Sequence, residues 1–202
     1  MSAPSAAARS AMIRAAEEIA VERGWGATTF SEVQLRAGQA NKSAARYHFG
    51  SREGLLDAVL EAHMAPVDDH RRELLDASAG VALTHGDVAA IFVRPLAAQT
   101  LGRPGSRFAR FLMQTLSDPI QSTRVLEHVR AESLRDLRTR FCQSTPLPTP
   151  WAEMRFGSLV MLCVATLATW EGHRESAESP DLDFVIDDLI RIATAVLDAP
   201  ST

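Results

Sequence analysis

Between Thr29 and Arg52 the chain collects side chains suited to gripping phosphate and reading base edges: Thr29, Asn41, Lys42, Ser43, Arg46, Tyr47, His48 and Arg52. Hydroxyl, phenol and imidazole groups donate to phosphate oxygens. An arginine at a helix N-terminus adds its charge to the free backbone N–H groups there. Asparagine, lysine and arginine also bond to adenine and guanine edges, which makes Asn41, Lys42, Ser43 and Arg46 the candidate base readers. Plainer readings stay open for three of them: Lys42 and Arg46 on a solvated helix face, and His48 packed without a nucleic-acid contact.

Catalytic chemistry finds little to work with. His63, His70 and Glu73 form one imaginable metal set, but Pro66 is predicted to interrupt the helix between the two histidines. Neither His-Glu-x-x-His nor paired Glu-x-x-His motifs occur, and nucleophile motifs and Gly-rich phosphate loops are missing from the sequence. A helical-bundle metalloenzyme is therefore a remote alternative, and no cofactor is expected. Cys142 and Cys163 lack metal-ligand or disulfide spacing and read as small buried hydrophobes in a reducing cytoplasm.

The elements that must position these groups are helical nearly throughout. Ala, Leu, Arg and Glu dominate, and breakers recur at helical intervals. Ala6 to Arg23 carries Met12, Ala15, Ala16, Ile19 and Ala20 on one stripe, with Glu17, Glu18 and Glu22 predicted opposite, and ends at Gly24. Thr29-Phe30-Ser31-Glu32 fits a capping box for a second helix that stops at Gly38. A third helix is expected over about Asn41 to Phe49, with Asn41 as its N-cap. Ser51 caps a fourth, running from Arg52 towards Pro66. Two short helices around a glycine turn have the geometry of a helix-turn-helix, with Val33, Leu35, Ala37, Ala44, Tyr47 and Phe49 as its expected core.

Further on, helices are expected over Val67–Ala77, Asp87–Leu101 and Ser106–Leu116. A long one is predicted from Asp118-Pro119 to Cys142, with proline in its first turn. Ser144 to Pro150 is a loop, and Trp151–His173 and Asp181–Leu197 are the last two helices, joined by a polar linker. The Ala/Ser-rich start reads as a disordered tail.

Net charge is −4 over the 202 residues, yet residues 1–52 hold seven cationic against four acidic side chains. A basic head on an acidic body is the electrostatic footprint of a nucleic-acid binder. Arginine outnumbers lysine twenty to one, as a GC-rich bacterial gene would give. Met1 to Ala20 has no apolar core of the kind a signal peptide requires. The apolar run Leu159–Leu167 falls short of the ~20 residues a bilayer needs, so a cytoplasmic protein with no membrane partner is expected.

The segment from Gly24 to Leu56 resembles the DNA-binding region of the TetR family. It carries Gly26, Thr28 and Thr29 at the entry and Ala37-Gly38 at the end of the second helix. Tyr47-His48-Phe49 closes the recognition helix, and Ser51, Arg52, Glu53 and Leu55 follow. Three departures stand out: one extra residue between Ala37 and Phe49, Arg46 where tyrosine is usual, and Arg52 for the usual lysine. The resemblance implies an all-α protein. A three-helix helix-turn-helix DNA-binding domain would span residues 1–52, and residues 53–202 would form a helical bundle for ligand binding and dimerisation.

Its expected partners are double-stranded operator DNA of palindromic sequence, a small and largely apolar effector, and a second copy of the chain docked through the last two helices. A repressor released by its effector is the expected function. A regulator with a protein partner, or with no ligand, is the alternative. Phe92, Phe108, Phe111, Leu112, Met113 and Trp151 either line the effector cavity or fill an ordinary core. Phe184, Leu189, Ile192 and Val196, with the small residues Gly157, Ser158, Ala165 and Ala168, mark the candidate dimer face. Burial within one subunit is the alternative there.

Overall fold

The computed structural model describes residues 6–129, 132–173 and 181–200. Helix α1 (Ala6–Arg23) is followed by a single 3-10 turn (Trp25–Ala27), α2 (Phe30–Arg36) and α3 (Ala44–Phe49). These pack on the first turns of α4 (Arg52–Ala77) and form the head. The body comprises the rest of α4, α5 (His85–Gln99), α6 (Phe108–Ser117), α7 (Ser122–Val129), α8 (Glu132–Ser144), α9 (Thr149–His173) and α10 (Leu182–Asp198). The protein is all-helical, and no strand occurs among the described residues.

Spacing explains α1: Met12, Ala15, Ala16, Ile19 and Ala20 are all buried, three or four residues apart on one face. Glu17, predicted on the exposed face, is buried as well, because His63 on α4 reaches it with Nε2 at 3.0 Å from the carboxylate. The head core also corrects the sequence reading. Val33, Ala44, Ala45 and Phe49 are buried, whereas Leu35 is 76% and Tyr47 70% exposed. Helices of six and seven residues offer only one buried stripe each, and the alanines of α3 fill it.

Two prolines sit inside continuous helices. The sequence predicts a break at Pro66, but α4 runs through it to Ala77. A proline there removes one backbone hydrogen bond and crowds the preceding turn, at a cost of about 3 kcal/mol. Met64, Val67, Arg71 and Leu75 are buried on either side, and Ala62, whose carbonyl loses its partner, is exposed to water. α5 likewise carries Pro95, and it begins two residues before the predicted start because Thr84 and Asp87 form a reciprocal capping box.

The long helix predicted from Asp118-Pro119 does not begin there. Asp118 Oδ1 accepts from the N–H groups of Ile120 at 2.8 Å and Gln121 at 3.3 Å, closing a turn that delays α7 to Ser122. Residues 130–131, between α7 and α8, lie outside the described residues, as do the predicted tail at 1–5 and the linker at 174–180.

In the body, α9 packs against α6, α8 and α10, and α10 against α5. By length and composition α9 is apolar enough to cross a bilayer, and 44% of its apolar window is buried inside the bundle. The N-terminus of α6 has no side-chain cap of its own. Glu171 on α9 supplies one: its carboxylate accepts from Ser106 Oγ (2.8 Å) and from the backbone N–H groups of Ala109 (3.2 Å) and Arg110 (3.0 Å). A carboxylate at a helix N-terminus meets both unsatisfied donors and the positive end of the helix dipole.

Candidate nucleic-acid interface

The turn between α2 and α3 is built from side chains bonding to backbone. Gly38 takes φ 64°, a conformation that glycine adopts without steric cost. Buried Gln34 donates through Nε2 to the Asn41 carbonyl at 2.8 Å, and Asn41 Oδ1 accepts from the Ser43 N–H at 2.9 Å. That Asx turn replaces the predicted N-cap. Residues 41–43 stay in the turn, and α3 starts only at Ala44, with Ser43 in the cap position and no side-chain bond. α3 is thus shorter than predicted.

Asn41, Lys42 and Ser43 in the turn and Arg46 and Tyr47 on α3 are all exposed. Lys42 and Arg46 have no ion-pair partner among the described residues, and both are free to meet an outside anion. The arginines behind them are engaged. Arg36 bonds to Glu22 at 2.9 Å and approaches Glu18 at 3.5 Å, while Arg23 pairs with Glu32. The Arg36 contact lowers the Glu22 carboxyl below its ordinary value, and Glu22 in turn raises Arg36. Lys42 and Arg46, with Arg9 and Arg14 on α1, are the exposed cations of the head without an ion pair among the described residues.

The remaining sequence-predicted residues divide. The Thr29 hydroxyl caps α2, accepting from the Glu32 N–H at 3.3 Å, and stays exposed. His48 is half-buried between the rings of Tyr47 and Phe49, and its Nε2 has no partner. Arg52 turns inward: Nε donates to the Thr28 carbonyl at 3.1 Å and one terminal nitrogen to that of Trp25 at 2.8 Å. It therefore ties the start of α4 to the loop before α2. Ser51 caps α4 by accepting from the Gly54 N–H at 3.1 Å. The Glu53 carboxyl is held low by its own N–H and the Ser51 hydroxyl. Gly54 escaped the sequence reading. A Cβ there would lie 2.1 Å from the Phe49 carbonyl oxygen, so glycine sets how closely the end of α3 approaches α4.

The predicted ligand residues do not surround one cavity. Phe108 stacks on His63 (centroids 4.1 Å apart) and Phe111 meets Trp25 edge-on (6.0 Å), so both belong to the joint between body and head. Leu112 is buried beside them on α6, and half-buried Met113 faces a shallow groove near Trp25. Phe92 contacts Phe156 and lies under Arg71. Trp151 is 60% exposed at the start of α9. A mainly apolar cavity of about 730 Å³ lies instead among α6, α7, α8 and α9, with Leu116, Leu126, Leu134, Phe156, Val160 and Met161 in its wall. Phe156 and Met161 stand out in the sequence as large apolar residues on one helix, but their distance from α6 in the chain hides the cavity they share. Among the described residues, no group of three His, Cys, Asp or Glu is placed to hold a metal ion.

Residues 12–59 match the family described as bacterial regulatory proteins, tetR family. No curated protein matches the chain by sequence. Among solved structures, a TetR-family transcriptional regulator from Mesorhizobium loti superposes with TM-score 0.56 at 16% identity, over 97% of this chain and 96% of that one. The TetR-family regulator PfmR from Thermus thermophilus superposes with TM-score 0.59 at 14% identity, over 95% of this chain and 99% of that one. At these identities the likeness carries the fold, and the family match rests on residues 12–59, the segment that holds α2, α3 and the start of α4.

Proposed function

We propose that the protein is a cytoplasmic repressor, dimeric on a palindromic operator and released by a small, largely apolar effector. Residues 1–52 act as the reading head and residues 53–202 as the sensing and dimerisation domain. The observation that carries this reading is the α2–α3 unit, where Asn41, Lys42, Ser43, Arg46 and Tyr47 are exposed together and Lys42 and Arg46 are unpaired. Asn41, Ser43 and the two cations meet base edges, while Thr29, Tyr47 and His48 meet phosphates. Arg52 holds the loop and offers its remaining N–H groups to the backbone of the DNA.

Dimerisation is supported by apolar side chains left in water on the last two helices: Trp151, Met154 and Met161 on α9, Phe184 and Ile192 on α10. Gly157 and Ser158 are exposed between them and let a partner helix come close. Leu189 and Ala168, predicted for the same face, are buried within the subunit.

The apolar cavity supports the effector reading, and its wall is continuous with the joint. Leu116 lines it on α6, and Gln114 on the same helix donates to the Val21 carbonyl of α1 at 2.9 Å. Leu126 lines it on α7, where Arg124 pairs with Asp57 of α4 at 2.8 Å. A ligand that spreads α6 and α7 changes the seat of the head. It releases the operator if it binds the open arrangement better by a few kcal/mol.

Selection of genomic fragments with the purified protein at fixed salt tests the reading, with an enriched inverted repeat as the expected result. On that repeat, Lys42→Ala with Arg46→Ala weakens binding by about 2–6 kcal/mol and flattens the salt dependence. Unchanged affinity would remove the assigned reading face.

A further inference from the structure

Arg71 lies in the interior of the body, 1% exposed, and makes no ion pair among the described residues. Arginine is almost never buried this deeply without a carboxylate, because an unpaired charge away from water is costly. Its contacts are weak. One terminal nitrogen donates to Ser133 Oγ at 3.4 Å, the guanidinium carbon lies 5.5 Å from the centroid of the Phe92 ring, and Nε has no partner. Asp68, one turn earlier on α4, acts on it only at a distance, since its own oxygens are taken by Ser133 and Arg72. Burial pushes the guanidinium down to about 10, so the group remains a cation at neutral pH.

Arg71 also stands directly behind the inner wall of the apolar cavity. Ser133, which it contacts, precedes Leu134 in that wall, and Phe92, which it covers, meets Phe156 of the wall edge-on at 6.4 Å. Arg71 thus reaches the cavity through Ser133–Leu134 and through the Phe92–Phe156 pair, while Arg135 and Arg138 line the cavity itself on α8.

We propose that Arg71 receives the anionic group of the effector, which is therefore a monocarboxylate with an apolar body. The proposal rests on the effector reading above. The apolar body fills the cavity, the Phe92 and Phe156 rings turn aside, and the carboxylate takes the Nε–H that the fold leaves unmatched together with a terminal N–H of the same guanidinium. Guanidinium and carboxylate fit each other in two parallel hydrogen bonds, which a neutral ligand cannot form. Because Arg71 is on α4, the same contact pulls on the helix whose first turns support the head.

The test is thermal stability and calorimetric binding of the full-length protein with octanoate, decanoate and 4-phenylbutyrate, each against its alcohol and methyl ester. The acids are expected to stabilise the wild type and to bind at least about tenfold more tightly than their neutral counterparts, the effect of one charge-assisted pair. Arg71→Met is expected to fold, with an unliganded Tm no lower than wild type, and to bind acid and alcohol alike. Arg71→Lys, which keeps the charge without the fork, covers the case in which the methionine variant fails to fold; its acid preference is expected to fall at least about threefold. Equal binding of acids and alcohols to the wild type overturns the role of Arg71 and leaves the effector reading standing. Undiminished acid preference in Arg71→Met, or in Arg71→Lys if methionine fails to fold, does the same. No binding in either series overturns both.

Discussion

In the head, the side chains that cap helices and close the α2–α3 turn find their partners close by in the chain. Thr29 satisfies the N–H of Glu32, Asn41 that of Ser43, and Ser51 that of Gly54, each within three residues. In the body, the corresponding partners come from far away. Glu171 caps α6 from a separation of 61 to 65 residues, Asp57 takes Arg124 across 67, and Asp198 takes His85 across 113. Local partners tie a short sequence to one geometry, so the head repeats as a recognisable pattern. Distant partners fix nothing about neighbouring residues, so the body is free to vary while keeping its fold, as the whole-chain likeness at 14–16% identity illustrates.

The largest test of this contrast is Glu171→Ala. It strips the donors of Ser106, Ala109 and Arg110 of a buried acceptor, and unfolding stability is expected to fall by about 3–5 kcal/mol, read by denaturant melts. Glu171→Gln, which keeps one acceptor oxygen, loses less. In the head the largest effect falls on a glycine. Gly54→Ala drives a Cβ into the Phe49 carbonyl and is expected to cost about 1–3 kcal/mol, with operator binding lost before the body melts.

A local cap placed in the body sharpens the comparison. Thr84→Ala at the start of α5 is expected to cost about 1 kcal/mol, like the caps of the head and unlike Glu171. The Thr84 hydroxyl and N–H hold the Asp87 carboxyl below its ordinary value. Its contribution is therefore fully present above the ordinary carboxylate range and is lost as pH falls through the depressed value. Stability measured against pH is expected to lose part of its acid dependence in the variant. The smallest effect is one of reactivity. Burial pushes the Cys163 thiol up to about 12 and raises half-buried Cys142 less, so at pH 8 a thiol reagent labels Cys142 first. Simultaneous labelling of both would mean that the body opens as readily as its surface.

The same division decides what could be read in the sequence. α1, the glycine turn and the Ser51 cap follow from residues within one turn of each other, and they appear where the sequence predicts them. Reading failed where a distant group intervened. Glu17 looked solvent-facing because His63 lies 46 residues away, and Pro66 looked like a break because the burial on both sides of it was not visible. Asn41 looked like a helix cap because its competing Asx turn needs the Gln34 side chain to hold it. The aromatic residues of the body were legible as apolar, but which of them face a cavity depends on how α6 to α9 cross.

The trans-cap on α6 also sets an order of assembly. Arg110 leaves the ribosome 61 residues before the carboxylate that its N–H requires. At synthesis rates of about 5–20 residues per second, that delay is about 3–12 s. During that interval the head is already complete in its local contacts, while the centre of the body waits for α9. A nascent chain thus has the α2–α3 segment folded before the bundle behind it can close.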